Sequence, residues 1–187
     1  MLLFFDMEFT GLRQNTTPIS IGIVSEDGKK FYAEFTDYDE SQCNDWIKEN
    51  VISELLHDTE KWYEGISDRQ THGIKNIILY ALKDWIQQFD EIQFVSDVCH
   101  YDFVLLIDLL TNGGTALDLP ENISAVCHDI NQDIAAYFEV SDREAFDMNR
   151  EEILDRLKGY HVVGEKHNSM YDAEIIKEIY EEIGYDI

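Results

Sequence analysis

Proline is scarce in this sequence, with two residues in 187, and cysteine is nearly as rare, with three. No glycine- or serine-rich stretch compensates, so the chain has no linker composition. Residues 1–187 are expected to form one domain, a length that a single core serves well. Cys43, Cys99 and Cys127 are odd in number, far apart and without a Cys-x-x-Cys pair. That excludes a zinc ribbon and a disulfide framework, and it points to reduced thiols in a cytoplasmic setting. Long apolar runs are missing too. Met1–Phe5 is apolar, but Asp6 and Glu8 interrupt it. This is too short for a signal segment, and nothing approaches the roughly 18 apolar residues of a membrane span. A soluble protein is expected. Basic residues are the most telling shortage: 14 Lys and Arg stand against 39 Asp and Glu, a formal net charge of −25. A basic stripe that grips polyanions by counterion release is excluded. Chemistry on a polyanion is not, because bound divalent cations reverse the local field of a carboxylate-lined site.

Hydrophobic residues make up 44% of the chain and aromatics 12%, enough for a real core. Leu2–Phe5 reads as a short buried strand, Pro18–Val24 as a second, and Lys30–Phe35 as a third after the turn Glu26-Asp27-Gly28-Lys29. Tight connections make these three antiparallel. A helical pattern follows from Ser41 to Leu56, with Trp46, Ile47, Val51 and Leu55 on one face. Ser67-Asp68-Arg69-Gln70 has capping-box spacing and is expected to open a long helix to about residue 89. Glu91–Ser96 reads as a strand, and an apolar helix with Phe103, Leu106, Ile107 and Leu110 ends at Gly113-Gly114. Ile123–Val126 suggests a last strand. A second capping box at Ser141–Glu144 opens a helix to about Leu157, and a final helix runs from Ser169 to Ile183. Antiparallel strands followed by strand–helix alternation indicate a mixed α/β fold.

In so acidic a chain, carboxylate pairs are cheap. Asp-x-Glu occurs at Asp6/Glu8, Asp58/Glu60, Asp142/Glu144 and Asp172/Glu174. Context separates them. Only Asp6/Glu8 follows a buried strand, where residues i and i+2 share a face, so two like charges project together. A divalent cation is the natural compensation. Asp102 opens an apolar helix, and His167 precedes a helix whose first turn holds Asp172. His128/Asp133 repeats the His-x4-Asp spacing, without a link to Asp6, and reads as a solvated pair.

Together these elements resemble the DEDDh family of 3′–5′ exonucleases, relatives of RNase T and of the proofreading subunits of replicative polymerases. The first motif matches Phe5-Asp6-Met7-Glu8-Phe9-Thr10-Gly11-Leu12, the second His100-Tyr101-Asp102-Phe103, and the third His167 to Ala173. The second departs from the usual Asn-Ala-x-Phe-Asp and, with the Ile-Ser-Ile-Gly strand, is closer to the small exoribonuclease subgroup. The resemblance implies an RNase H-like fold and two-metal phosphodiester hydrolysis with Mg²⁺ or Mn²⁺. It assigns Asp6, Glu8, Asp102 and Asp172 as metal ligands, His167 as general base, and Phe9, Thr10, Gly11 and Leu12 as contacts to the 3′-terminal nucleotide. RNA is favoured over DNA, released from the 3′ end as nucleoside 5′-monophosphates. Expected partners are single-stranded or 3′-overhang nucleic acid and a second copy of the chain as a homodimer. An acidic binding module on a degenerate nuclease fold would not need all five catalytic positions filled, and a metal-dependent phosphatase of degraded nucleotides is a third reading.

Overall fold

The computed structural model of the protein describes residues 1–159 and 164–184, apart from the side chain of Tyr63. Six strands form one sheet among these residues: β1 (Leu2–Phe9), β2 (Pro18–Ser25), β3 (Lys30–Phe35), β4 (Arg69–Gly73), β5 (Gln93–Ser96) and β6 (His128–Asp129). Their order is β4-β3-β2-β1-β5-β6. The first three are antiparallel, as expected, while β5 joins β1, β6 joins β5 and β4 joins β3 in parallel. The helices are α1 (Asp45–Asn50), α2 (Glu60–Glu64), α3 (Lys75–Ile86), α4 (Cys99–Thr111), α5 (Ile130–Phe138), α6 (Asp142–Asp147), α7 (Arg150–Lys158) and α8 (Ser169–Gly184).

Strand alternation decides where the core lies. On β1, Leu3, Phe5 and Met7 face one side and pack with Phe31, Ile78, Leu82 and Leu106 beneath α3 and α4. Phe4 faces the other side, with Ile130, Ile153, Ile175 and Ile179 of α5, α7 and α8. Asp6 and Glu8 continue Phe4's side, so they emerge where α8 begins. The strand runs on to Phe9, past the expected end at Phe5, because β2 pairs along its whole length.

Alpha-helix α8 is seated on β2 by two small residues opposite the carboxylates. Gly22 pairs with Asp6 and Ser20 with Glu8 in the ladder. Ser20 Oγ lies 2.9 Å from Ser169 Oγ. A Cβ on Gly22 would sit 2.3 Å from the Ser169 carbonyl oxygen and 2.4 Å from the Met170 nitrogen. Backbone cannot yield as a side chain can. Gly22→Ala should therefore lower stability by about 1–3 kcal/mol, read as an earlier urea midpoint. An unchanged midpoint would contradict this seating.

Four local expectations need correction. Ser67–Gln70 is no helix start, because Asp68 Oδ2 accepts from Lys30 N at 2.7 Å and the segment enters edge strand β4. The helix begins at Lys75, whose N–H donates to Asp37, a cap supplied from a distant loop. The 41–56 helix is divided, since Asn44 caps α1 and single 3₁₀ turns flank it. Ile123 makes one isolated bridge to Ile92, and the sixth strand lies at His128–Asp129 instead. The Ser141/Glu144 capping box is present, but Asn149 caps a fresh helix after Met148 and splits that segment in two.

Candidate nuclease site

Three chain segments converge at the carboxyl end of β1. The strand supplies Asp6 and Glu8, the first turn of α4 supplies Asp102, and α8 with its preceding turn supplies Asp172 and His167. All five line one cleft of about 700 Å³, together with Phe9, Leu12, Asp97, Tyr101, Phe146, Arg150 and Lys166. Within it the ligand-type atoms form two groups, each spanning no more than 4.8 Å: Glu8, His167 and Asp172, and Asp6, Asp97 and Asp102.

The second group is unusually deep. Asp102 is wholly buried and Asp6 is 9% exposed. Ser96 Oγ donates to Asp102 Oδ2 at 2.6 Å, but Asp102 Oδ1 and Asp6 Oδ2 accept from no donor among the described residues. Buried carboxylate oxygens without partners are costly, and these two belong to carboxylates of one 4.8 Å group. A hard divalent cation answers both facts, because Mg²⁺ and Mn²⁺ prefer oxygen donors and neutralise clustered charge. The residues present fit such an ion.

The electrostatics agree. Burial holds Asp6 well above the usual carboxylate range, and the charges of Asp102, Glu8 and Asp172 push it further. Burial does the same to Asp102, opposed by the Ser96 hydrogen bond. Asp172 is pushed up to about 8, by burial first and Glu8 second, against the backbone N–H of His167 that donates to it at 2.8 Å. An acid raised on folding holds its proton more tightly in the folded state. Its stabilisation is complete below about pH 4 and is lost as pH rises through the folded value. The cation-free protein should thus melt at progressively lower temperature between about pH 4 and 8, measured by calorimetry in EDTA. A flat profile would contradict the strained cluster.

His167 sits at the cleft mouth in the left-handed region, φ 66°. Its Nδ1 lies 3.7 Å from Glu8 Oε1, ion-pair distance, and Glu8 holds the imidazole above its ordinary value while partial burial opposes this. Trp46 touches His167 edge-on, ring centroids 5.1 Å apart, and is 51% exposed. Asn168 fixes the turn: its Oδ1 accepts from the backbone N–H groups of Met170 and Tyr171, and its Nδ2 reaches the Glu54 carbonyl at 3.2 Å.

The segment after Glu8 divides in two. Phe9 stacks on Tyr101 with centroids 5.4 Å apart, and Leu12 is exposed on the cleft rim. Thr10 is fully buried, donating to Gln42 Oε1 at 2.8 Å and accepting from Thr17 N at 3.0 Å, and Gly11 adopts φ 143°. These two shape the turn that presents Phe9 and Leu12. His128 pairs with Asp133 away from the cleft lining. Asp97 was not anticipated. Its one legible signal is position, an acid directly after a parallel strand beside β1, where open α/β sheets gather their functional groups.

Known proteins place the chain. A 55-residue segment is 36% identical to the 3′-5′ exoribonuclease Rv2179c of Mycobacterium tuberculosis (strain ATCC 25618 / H37Rv), covering 29% of this chain and 33% of that protein. The 3′-5′ exoribonuclease MT2234.1 of strain CDC 1551 / Oshkosh matches with the same figures. The matched segment thus spans a third of these relatives. Over 99% of its length the chain superposes on a 3′-exonuclease solved for 3′-end specific recognition of a histone mRNA stem-loop, at TM-score 0.67, 13% identity and 63% of that chain. A full-length 3′-exonuclease structure gives TM-score 0.65 at 13% identity, with 99% of this chain and 81% of that one. Such low identity speaks for the fold alone, an RNase H-like one. The family model for the 3′-5′ exoribonuclease Rv2179c-like domain matches residues 1–184, and this protein belongs to that family.

Proposed function

We propose that the chain is a single catalytic domain that removes nucleotides from the 3′ end of RNA by a two-cation, DEDDh-type hydrolysis. The observation that carries this reading is the pair of buried, partnerless oxygens on Asp6 and Asp102 within one cleft with Glu8, Asp172 and His167. Asp6, Glu8, Asp102 and Asp172 would hold the two Mg²⁺ or Mn²⁺ ions. When bound, such ions activate a water and stabilise the attacking and leaving oxygens of an in-line displacement.

The chain's own residues do the rest. His167, at the open edge of the site, accepts the proton of the attacking water on its imidazole. Asp172 accepts the His167 backbone N–H and Asn168 braces the next turn, so the ring is held at a fixed position. The Phe9–Tyr101 stack and exposed Leu12 offer an apolar wall to the terminal base, with Thr10 and Gly11 setting the turn behind it. An acidic exterior concentrates binding on the last few nucleotides, so activity should fall only gently with salt. A purely binding module would have no use for a proton acceptor fixed beside four carboxylates. Among the described residues no helix is long and apolar enough to cross a membrane.

The test is a 5′-labelled single-stranded RNA with either a 3′-hydroxyl or a 3′-phosphate. Stepwise shortening of the first and protection of the second are expected, with nucleoside 5′-monophosphates as product. Internal cleavage of the blocked strand would make the protein an endonuclease, and preference for the matching DNA would overturn the RNA assignment.

A further inference from the structure

Asp97 lies directly beyond β5, and one of its oxygens falls within 4.8 Å of ligand-type oxygens of both Asp6 and Asp102. Its placement is not that of a stray surface acid. Arg150 Nε donates to Asp97 Oδ2 at 2.8 Å, and both side chains are 16% exposed. Asn131 Nδ2 donates to the Asp97 backbone carbonyl at 2.7 Å. Arg150 is itself anchored elsewhere: Nη1 donates to the carbonyls of Ala145 and Met148, and Nη2 to Asn131 Oδ1. The brace therefore stands on α5, the end of α6 and the start of α7, and it draws the carboxylate to a fixed point.

That arrangement has a consequence for charge. A third carboxylate beside two buried ones adds repulsion, and Arg150 offsets only part of it through one of its five N–H groups. The second oxygen of Asp97 accepts from no described residue. Asp6 Oδ2 and Asp102 Oδ1 likewise accept from no described donor, so each of the three carboxylates keeps one oxygen free of a described donor, and two of these oxygens are buried. Three carboxylates with ligand-type oxygens within 4.8 Å of one another, on preorganised side chains, suit a hard cation that keeps several waters.

We propose that Asp97 is a fifth carboxylate of the site, held by Arg150 so that it helps bind the divalent cation shared by Asp6 and Asp102. The inference rests on the two-cation reading above and adds a residue to it. Arg150 is a positioning residue, acting through Asp97.

The experiment is a calorimetric titration of Mn²⁺ into the intact nucleotide-free chain, comparing wild type with Asp97→Asn. The amide keeps the hydrogen bond to Arg150 but loses the charge. Wild type should bind Mn²⁺, and Asp97→Asn should bind at least one ion about 10- to 100-fold more weakly, with its melting temperature in EDTA unchanged or higher. Equal Mn²⁺ affinity in the two proteins would overturn the inference while leaving the two-cation reading intact, making Asp97 a partner of Arg150 alone. Absence of Mn²⁺ binding by wild type would sink both. If Asp97→Asn fails to fold by circular dichroism, Asp97→Ser is read in the same way.

Discussion

Asp6→Asn is expected to abolish nucleotide release while making the cation-free protein more stable. Asp6 is 9% exposed, carries an oxygen with no donor, and feels the charges of Asp102, Glu8 and Asp172. Neutralising it removes both desolvation cost and repulsion. A gain of about 1 kcal/mol would raise the melting temperature by about 2–4 °C in a chain of this size. The activity loss should be at least about 10³-fold, because several kcal/mol of transition-state stabilisation go with the cations. Opposite signs for stability and activity are the signature of a group kept for chemistry. Loss of both together would mean that Asp6 serves the fold.

The second large effect separates two histidines with the same spacing to an aspartate. His167→Ala should reduce kcat by roughly 10²–10⁴-fold, the usual range for a general base, and leave Mn²⁺ binding nearly intact. His128→Ala should be almost silent in activity. His128 bonds to Asp133, which raises its pKa, so its contribution to stability is present below its ordinary value and lost as pH rises through the raised one. His167 instead lines the cleft beside Glu8 and Asp172. Rate profiles of the two variants against pH decide it. A rate defect in His128→Ala with a normal His167→Ala would move the site to the other helix and remove Asp172 from it.

What could be read in advance follows from how each residue signals itself. Asp6 and Glu8 break an apolar strand at period two, Asp102 interrupts an apolar helix start, and His167 and Asp172 flank a helix mouth. In each case a charge stands where burial is expected. Asp97 carries no such contradiction, because an acid after a strand is ordinary loop chemistry, and only the parallel pairing of β1 with β5 brings it to Asp6. Trp46 was hidden for the converse reason, since its apolar character fits a helix face whether that face is core or cleft rim. Strand β4 was misread because Asp68 accepts a backbone N–H, as a cap would, but from Lys30 across on β3. Local polar patterning cannot distinguish a near partner from a distant one.

Cation dependence is the point on which the account stands or falls. Release of ribonucleotides from a 3′-hydroxyl RNA should be followed in excess EDTA and then with Mg²⁺ or Mn²⁺ restored, alongside the melting temperature. The account predicts no release in EDTA, recovery on adding either ion, and a higher melting temperature with the ion bound, since it binds the folded state. Undiminished release in EDTA would contradict it.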